Sequence, residues 1–320
     1  MTRFGSVGQL LALIGLLLGH AAALSTGQTT REGDWIGWHC RLVSSVPSCA
    51  LQRVSPHGRV LVTAALPEAE FQAGQLALSP DGRTLYSAGA ALHAWDAHTL
   101  KLRWTAPPAT AARPAGSDPP GRMPPPLALS PDGRQLVTAG SGPGEVELRD
   151  TSSGQLRQSL PHPGPSAITP DNAWSLDVTA LAYDPTGRQL AIGSRAGGIR
   201  LHDLRTGQER RLTGRCGGVS LPYLTAHQGS VGGLVWTGTA TLISSANDET
   251  VKRWDTLAGL EVTCLSVPGG TRGLQVLPDD RLLALGVTSA TLLDAGQFRR
   301  VARLGPFPAM LRELSVLECV

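Results

Sequence analysis

His227-Gln-Gly-Ser-Val-Gly-Gly-Leu-Val-Trp236, then Thr241-Leu-Ile-Ser-Ser-Ala-Asn-Asp-Glu-Thr250, then Val251-Lys-Arg-Trp-Asp255 and a turn at Thr256-Leu-Ala-Gly259: this stretch decides the fold. Each apolar run is short and rich in Val, Ile, Leu, Thr and Trp, and turn residues separate it from the next. No helix fits between them. Three antiparallel strands read directly off the chain, and a fourth begins after Gly259.

Weaker copies of the pattern lie on both sides. Ser55-Pro-His-Gly-Arg59, Ser79-Pro-Asp-Gly-Arg83, Ser130-Pro-Asp-Gly-Arg134 and Asp184-Pro-Thr-Gly-Arg188 repeat one phrase, and Leu277-Pro-Asp-Asp-Arg281 is a degenerate fifth copy. Pro presets φ, Asp bonds its own backbone and Gly takes φ > 0, so the phrase is a hairpin turn. A phosphate-cradling glycine loop would open a helix, whereas a strand follows here. Each turn leads to a strand and then to a second strand ending in aspartate: Asp96, Asp150, Asp203, Asp255 and Asp294. Four strands per unit, at a spacing of a few tens of residues, predict an all-β propeller of four-stranded antiparallel blades.

Complete blades are expected at about 76–105, 127–160, 178–211, 231–267 and 273–303. The Gly82–Gly133 and Gly133–Gly187 spacings are 51 and 54 residues, against ~40–45 for a minimal blade. The excess falls each time between the outermost strand of one blade and the innermost of the next: 106–126, 161–177 and 212–228. These are equivalent positions on consecutive blades, so the three insertions share one rim. At the ends, runs within 35–65 supply three strands and Leu311–Cys319 a fourth. The expectation is one propeller domain over 35–320, six-bladed and closed by a composite N-/C-terminal blade, or seven-bladed if the N-terminal region holds more strand.

Residues 227–255 resemble a WD-repeat blade, through His227, Ser244 or Ser245, the turn residue Asp248 and the closing Trp254-Asp255. The resemblance is partial over 76–104, 127–160, 178–210 and 273–303, where Arg149, His202 or Leu293 replaces the Trp and the preceding His is missing. It implies a buried tetrad of His227, serine, Asp248 and Trp254 in which hydroxyl, imidazole and indole satisfy one another around a carboxylate. The divergent blades look like those of exported bacterial propellers.

Arg3, the apolar run 10–18 and Ala21-Ala-Ala23 read as a cleaved signal peptide over 1–23. The run is far short of the ~20 apolar residues that span a bilayer. A flexible N-terminus is expected over 24–34, with export to the periplasm or beyond. Loss of Arg3 lowers the formal charge from +3 to +2, too near neutral and too scattered to point to nucleic acid or an acidic membrane. In an oxidising compartment the five cysteines can pair. Composite closure suggests a latch from Cys319 to Cys40 or Cys49, and a local Cys40–Cys49 bridge is the alternative.

Ser245, His227 and Asp248 could form a hydrolase triad, but the serine sits in a strand and not on a nucleophile elbow. His162, Asp171 and Asp177 share one insertion, but isolated His and Asp in a Pro-rich loop are ordinarily solvated. No cofactor and no metal is expected. The reading is a non-enzymatic exported scaffold that binds a protein or other macromolecule through its long loops, with Pro120, Arg122, Trp174 and Tyr223 as anchors. A propeller hydrolase or lyase working at the central channel, and a structural envelope component, are the alternatives.

Overall fold

The computed structural model describes residues 27–30, 33–43, 46–65, 75–89, 91–107, 125–162, 176–214, 225–271, 273–277, 281–286 and 289–305. These form six four-stranded antiparallel sheets, each drawn from one continuous stretch of chain. Blade 1 is β1 (Gly27–Thr29), β2 (Trp35–Val43), β3 (Val46–Val54) and β4 (Val60–Ala65). Blade 2 is β5 (Gln75–Leu78), β6 (Thr84–Ala88), β7 (Leu92–Asp96) and β8 (Leu102–Ala106). Blade 3 is β9 (Leu127–Leu129), β10 (Gln135–Ala139), β11 (Val146–Asp150) and β12 (Leu156–Leu160). Blade 4 is β13 (Val178–Tyr183), β14 (Gln189–Ser194), β15 (Ile199–Asp203) and β16 (Glu209–Leu212). Blade 5 is β17 (Val231–Trp236), β18 (Thr241–Ala246), β19 (Thr250–Asp255) and β20 (Leu260–Ser266). Blade 6 is β21 (Gly273–Val276), β22 (Arg281–Leu285), β23 (Ala290–Asp294) and β24 (Arg299–Leu304). The first strands of successive blades lie side by side from β1 to β21. This is a six-bladed propeller, as the repeat spacing predicts.

The core lies between blades. Along a strand, side chains alternate between faces, and here both faces are covered. In β6, Leu85 packs toward Ile36, Trp38 and Leu51 of blade 1, while its neighbour Tyr86 packs toward Leu127 and Leu136 of blade 3. In β18, Leu242 joins Ile199, Leu201 and Leu212 of blade 4, and Ile243 joins Leu282 and Leu293 of blade 6. That is why the second strands read as continuous apolar runs. Truncating one such leucine to alanine costs about 2–5 kcal/mol.

The turn phrases fold as expected. Gly58, Gly82, Gly133 and Gly187 all have positive φ. In blade 2, Gly82 N–H donates to the Ser79 carbonyl, and Asp81 Oδ1 accepts from Arg83 N–H at 3.0 Å. The closing aspartates cap the next turn: Asp203 Oδ1 accepts from Arg205 and Thr206 N–H at 2.9 and 2.8 Å. Four residues after each aspartate the backbone is left-handed, at Gly154, Gly207 and Gly259 but also at Leu100 and Phe298. Both of those side chains are buried, so packing offsets the steric cost of that conformation.

The composite blade is overturned. The place beside β2 belongs to β1, paired through Gly27–Gly37, Gln28–Ile36 and Thr29–Trp35. The expected partner strand, Leu311–Cys319, lies outside the described residues. The flexible segment assigned to 24–34 contains this strand. β1 is docked as well as paired, because the Gln28 side-chain amide donates to the Leu76 carbonyl of blade 2 at 3.0 Å. Its three residues, Gly-Gln-Thr, carry no apolar pattern, so its position comes from backbone pairing and the neighbouring blade.

Candidate functional site

Chain direction fixes which groups share a rim. Connections from a fourth strand to the next first strand emerge on one side of the disc, together with the turns between second and third strands. The Asp-Gly turns and the turns after the closing aspartates lie on the other side. The long connections β8–β9, β12–β13 and β16–β17 therefore share a rim, and that rim also carries His227 and Asp248.

His227 ends the β16–β17 connection, and Asp248 sits in the β18–β19 turn. His227 Nε2 lies 2.7 Å from Ser244 Oγ, and its Nδ1 lies 2.9 Å from Asp248 Oδ2. Trp254 Nε1 donates to Ser244 Oγ at 2.8 Å. Asp248 also accepts from Gln228 N–H at 2.9 Å and from the Thr250 hydroxyl at 2.7 Å. Burial lowers the His227 pKa against the pull of Asp248. A neutral ring then donates from Nδ1 to the carboxylate and accepts at Nε2 from the serine hydroxyl. Burial acts to raise the Asp248 pKa, but the His227 hydrogen bond and charge, with Gln228 N–H and Thr250, outweigh it and hold it at about 2.

Register settles which serine takes part. Ser244 pairs with Lys252 and Leu242 with Trp254, whereas Ser245 lies on the other face. Ser245 Oγ is buried with no hydrogen-bond partner among the described residues. The Ser–His–Asp order resembles a triad, yet Ser244 and His227 are both 0% exposed. The array ties the β16–β17 connection to two strands of blade 5, β18 and β19, and to the turn between them, and offers a substrate no approach to the serine. Gly197 closes it from blade 4: its carbonyl accepts from His227 N–H at 2.9 Å, and a Cβ there would fall 2.2 Å from the His227 carbonyl oxygen.

The other blades keep parts of this network. In blade 2, Ser87 pairs opposite His93 as Ser244 pairs opposite Lys252, and Trp95 Nε1 donates to Ser87 Oγ at 3.1 Å. Half a tetrad thus survives where the sequence pattern implied none. In blades 3 and 4, where Trp is lost, charge takes its place. Arg149 is paired with Glu147 at 2.6 Å, and Glu209 accepts from Arg200 at 2.9 Å and lies 3.0 Å from His202 Nδ1. Lys252 and Glu261 pair at 2.9 Å, with the ammonium 5.7 Å from the Trp254 ring centroid. Buried charges persist when paired. Alternation in the third strands marks these positions, but charged side chains there read as solvent-facing.

On the same rim, between blades 3 and 4, is a cleft of about 30 Å³ lined by Pro125, Gly140, Ser141, Glu145, Asp177, Thr179 and Arg195, among others. Pro125 and Asp177 are the roots of two long insertions. Arg195 Nε lies 3.6 Å from Asp177 Oδ2. The Ser159 hydroxyl, then Gly142 N–H at 2.7 Å and Ser141, hold the Glu145 carboxyl below its ordinary pKa despite burial. The cleft accommodates a water-sized guest.

Of the proposed metal trio, His162 packs against Gly144 and Asp177 pairs with Arg195, while Asp171 lies outside the described residues. Among the described residues no three metal-ligating side chains converge, and no helix is long and apolar enough to cross a membrane. The anchors Pro120, Arg122, Trp174 and Tyr223 lie outside the described residues, as does the segment assigned to the signal peptide.

The repeat unit has counterparts among known proteins. The model for the WD domain, G-beta repeat, matches residues 168–203 and 218–255. These two stretches are similar to WD40 repeats. The chain is 35% identical over 80 residues to the WD repeat-containing protein VIP3 of Arabidopsis thaliana, covering 24% of this chain and 25% of that protein. It is 32% identical over 89 residues to a probable inactive protein kinase of Dictyostelium discoideum, covering 28% of this chain and 6% of the other. The chain thus spans a quarter or less of these relatives. A chain in the crystal structure of a mitotic checkpoint complex superposes with a TM-score of 0.61 at 13% identity, over 88% of this chain and 77% of that one. At that identity the likeness concerns the fold. WD40-repeat proteins are generally non-enzymatic scaffolds.

Proposed function

We propose that the protein is an exported, non-enzymatic scaffold that binds a protein or other macromolecule on the rim carrying its three long insertions. One observation carries the reading. The connections β8–β9, β12–β13 and β16–β17 occupy equivalent positions on consecutive blades, so all three begin and end on one rim. A rigid disc with loops massed on one side suits recognition, because loop residues can vary while the sheets hold their geometry. Pro120, Arg122, Trp174 and Tyr223 supply the residue types that anchor interfaces. The disulfide at Cys264 supports the exported assignment, since such bonds persist in oxidising compartments.

The test is deletion of Thr110–Gly121, with cross-linking of the protein to its partners in the native envelope and fractionation to locate it. The deletion should leave the melting transition in place and abolish the cross-linked species. An unchanged cross-link refutes the assigned surface, and recovery of the unprocessed chain in the cytosol refutes export.

A further inference from the structure

The chain leaves β12 through Pro161 and His162, on the rim that carries the long connections. There the half-buried His162 side chain lies against Gly144, in the turn between β10 and β11. A Cβ at Gly144 would fall 2.7 Å from His162 Cδ2 and 3.0 Å from its Cγ. Gly144 has φ +67°, so bare backbone makes the contact. Blade 4 reaches the same residue from its own side, because the buried Arg200 guanidinium donates to the Gly144 carbonyl. An imidazole and a guanidinium thus meet over one glycine. His162 Nδ1 is buried with no hydrogen-bond partner among the described residues.

Charge around this junction is uneven. Arg200 and Arg211 are directly opposite across β15 and β16, a placing in which like charges repel. One carboxylate answers them: Glu209 accepts from Arg200 at 2.9 Å and lies 3.0 Å from His202 Nδ1. The turn between β10 and β11 adds Glu145, but its carboxylate is turned to Ser159, Ser141 and Gly142 N–H. Two guanidinium groups against Glu209 leave the junction net positive before any histidine is charged. Burial, then Arg200 and Arg211, push the His162 pKa down, and Glu209 offsets them only in part.

We propose that His162 is an acid-sensitive catch: neutral, it docks the start of the β12–β13 connection on Gly144, and protonated, it leaves for water and the connection undocks. A charged imidazole in place would be desolvated beside two cations, with no acceptor at Nδ1 among the described residues. Undocked, it meets none of these costs, so the released form takes up the proton first. Docking is therefore complete above the ordinary histidine value of 6.5. Below that value it weakens, by up to about tenfold per pH unit. The middle one of the three long rim connections then leaves the disc from a root whose attachment depends on proton concentration.

Hydrogen exchange over 158–162 in the full-length chain, corrected for its intrinsic pH dependence, measures the docking. From about pH 7.5 to about pH 5.5, protection there should fall several-fold in the native protein. It should stay level in His162→Phe, which keeps a ring over Gly144 and cannot titrate. His227 is retained in both, so its own titration cancels. Arg211→Gln, at an exposed position, should raise the His162 midpoint seen by ring-proton NMR and shrink the fall. An equal fall in His162→Phe, no fall in the native protein, or a His162 midpoint at or above 6.5 overturns the proposal. The NMR titration of the native protein decides the matter even where the variant fails to fold. No binding partner enters these measurements, so they stand or fall separately from the scaffold reading.

Discussion

Replacing Ser244 with alanine tests the buried array of blade 5 at its centre. The hydroxyl donates to His227 Nε2 and accepts from Trp254 Nε1, at 2.7 and 2.8 Å. Alanine leaves both partners buried and unsatisfied, since His227 and Trp254 are each 0% exposed. A stranded buried polar group costs about 1–3 kcal/mol, so the pair predicts a loss of about 2–4 kcal/mol. For a domain of this size that lowers Tm by about 5–10 °C. The control lies one residue away. Ser245 is equally buried, but its hydroxyl has no partner among the described residues, so Ser245→Ala should be neutral or stabilising, within about 1 kcal/mol. Thermal and urea denaturation followed by circular dichroism measure both. Equal losses for the two variants, or a loss below about 1 kcal/mol at Ser244, would refute the hydrogen-bond account.

Four further outcomes follow from described contacts. Asp248 has its pKa lowered to about 2, so its stabilisation is complete above the unfolded value near 4 and is lost as pH falls toward 2. Urea midpoints should record about 2 kcal/mol of that loss, and Asp248→Asn should flatten it. Burial also lowers the His227 pKa, so the unfolded chain takes up a proton first, and stability should begin to fall once pH drops below about 6.5. Gly207 has φ +71° and open space where a Cβ would go, so Gly207→Ala isolates the left-handed backbone cost of about 1–2 kcal/mol. Gly197→Ala adds a backbone clash with His227 and should cost clearly more by the same assay. Glu147→Ala leaves Arg149 buried without its carboxylate and should cost about 3–5 kcal/mol, with partial recovery in the Glu147→Ala/Arg149→Leu double variant.

Blade boundaries were legible because each turn has a chemical signature. Pro and Gly mark the first hairpin, and an aspartate capping two N–H groups marks the second, so five blades fall where the sequence places them. The first blade was read only in part. β1 has no side-chain pattern to betray it, and the apolar tail at 311–319 looked like the missing strand. The choice between Ser244 and Ser245 needed the pairing of β18 with β19, because a shift of one residue exchanges the faces. The Ser87–Trp95 bond is hard to read from sequence because blade 2 lacks the histidine that marks the full network in blade 5. The pairing of Arg200 and His202 with Glu209 was hidden for another reason: charge in a strand looks like surface until the packing of adjacent blades is known.

Since the first sheet takes all four strands from residues 27–65, it need not wait for distant chain to arrive. As the chain folds, each sector can assemble from local sequence and present a finished wall to the next. Growth of the disc can then follow chain order, and a truncation after the fourth strand of an inner blade should bare the apolar face of its last sheet and leave the arc prone to associate.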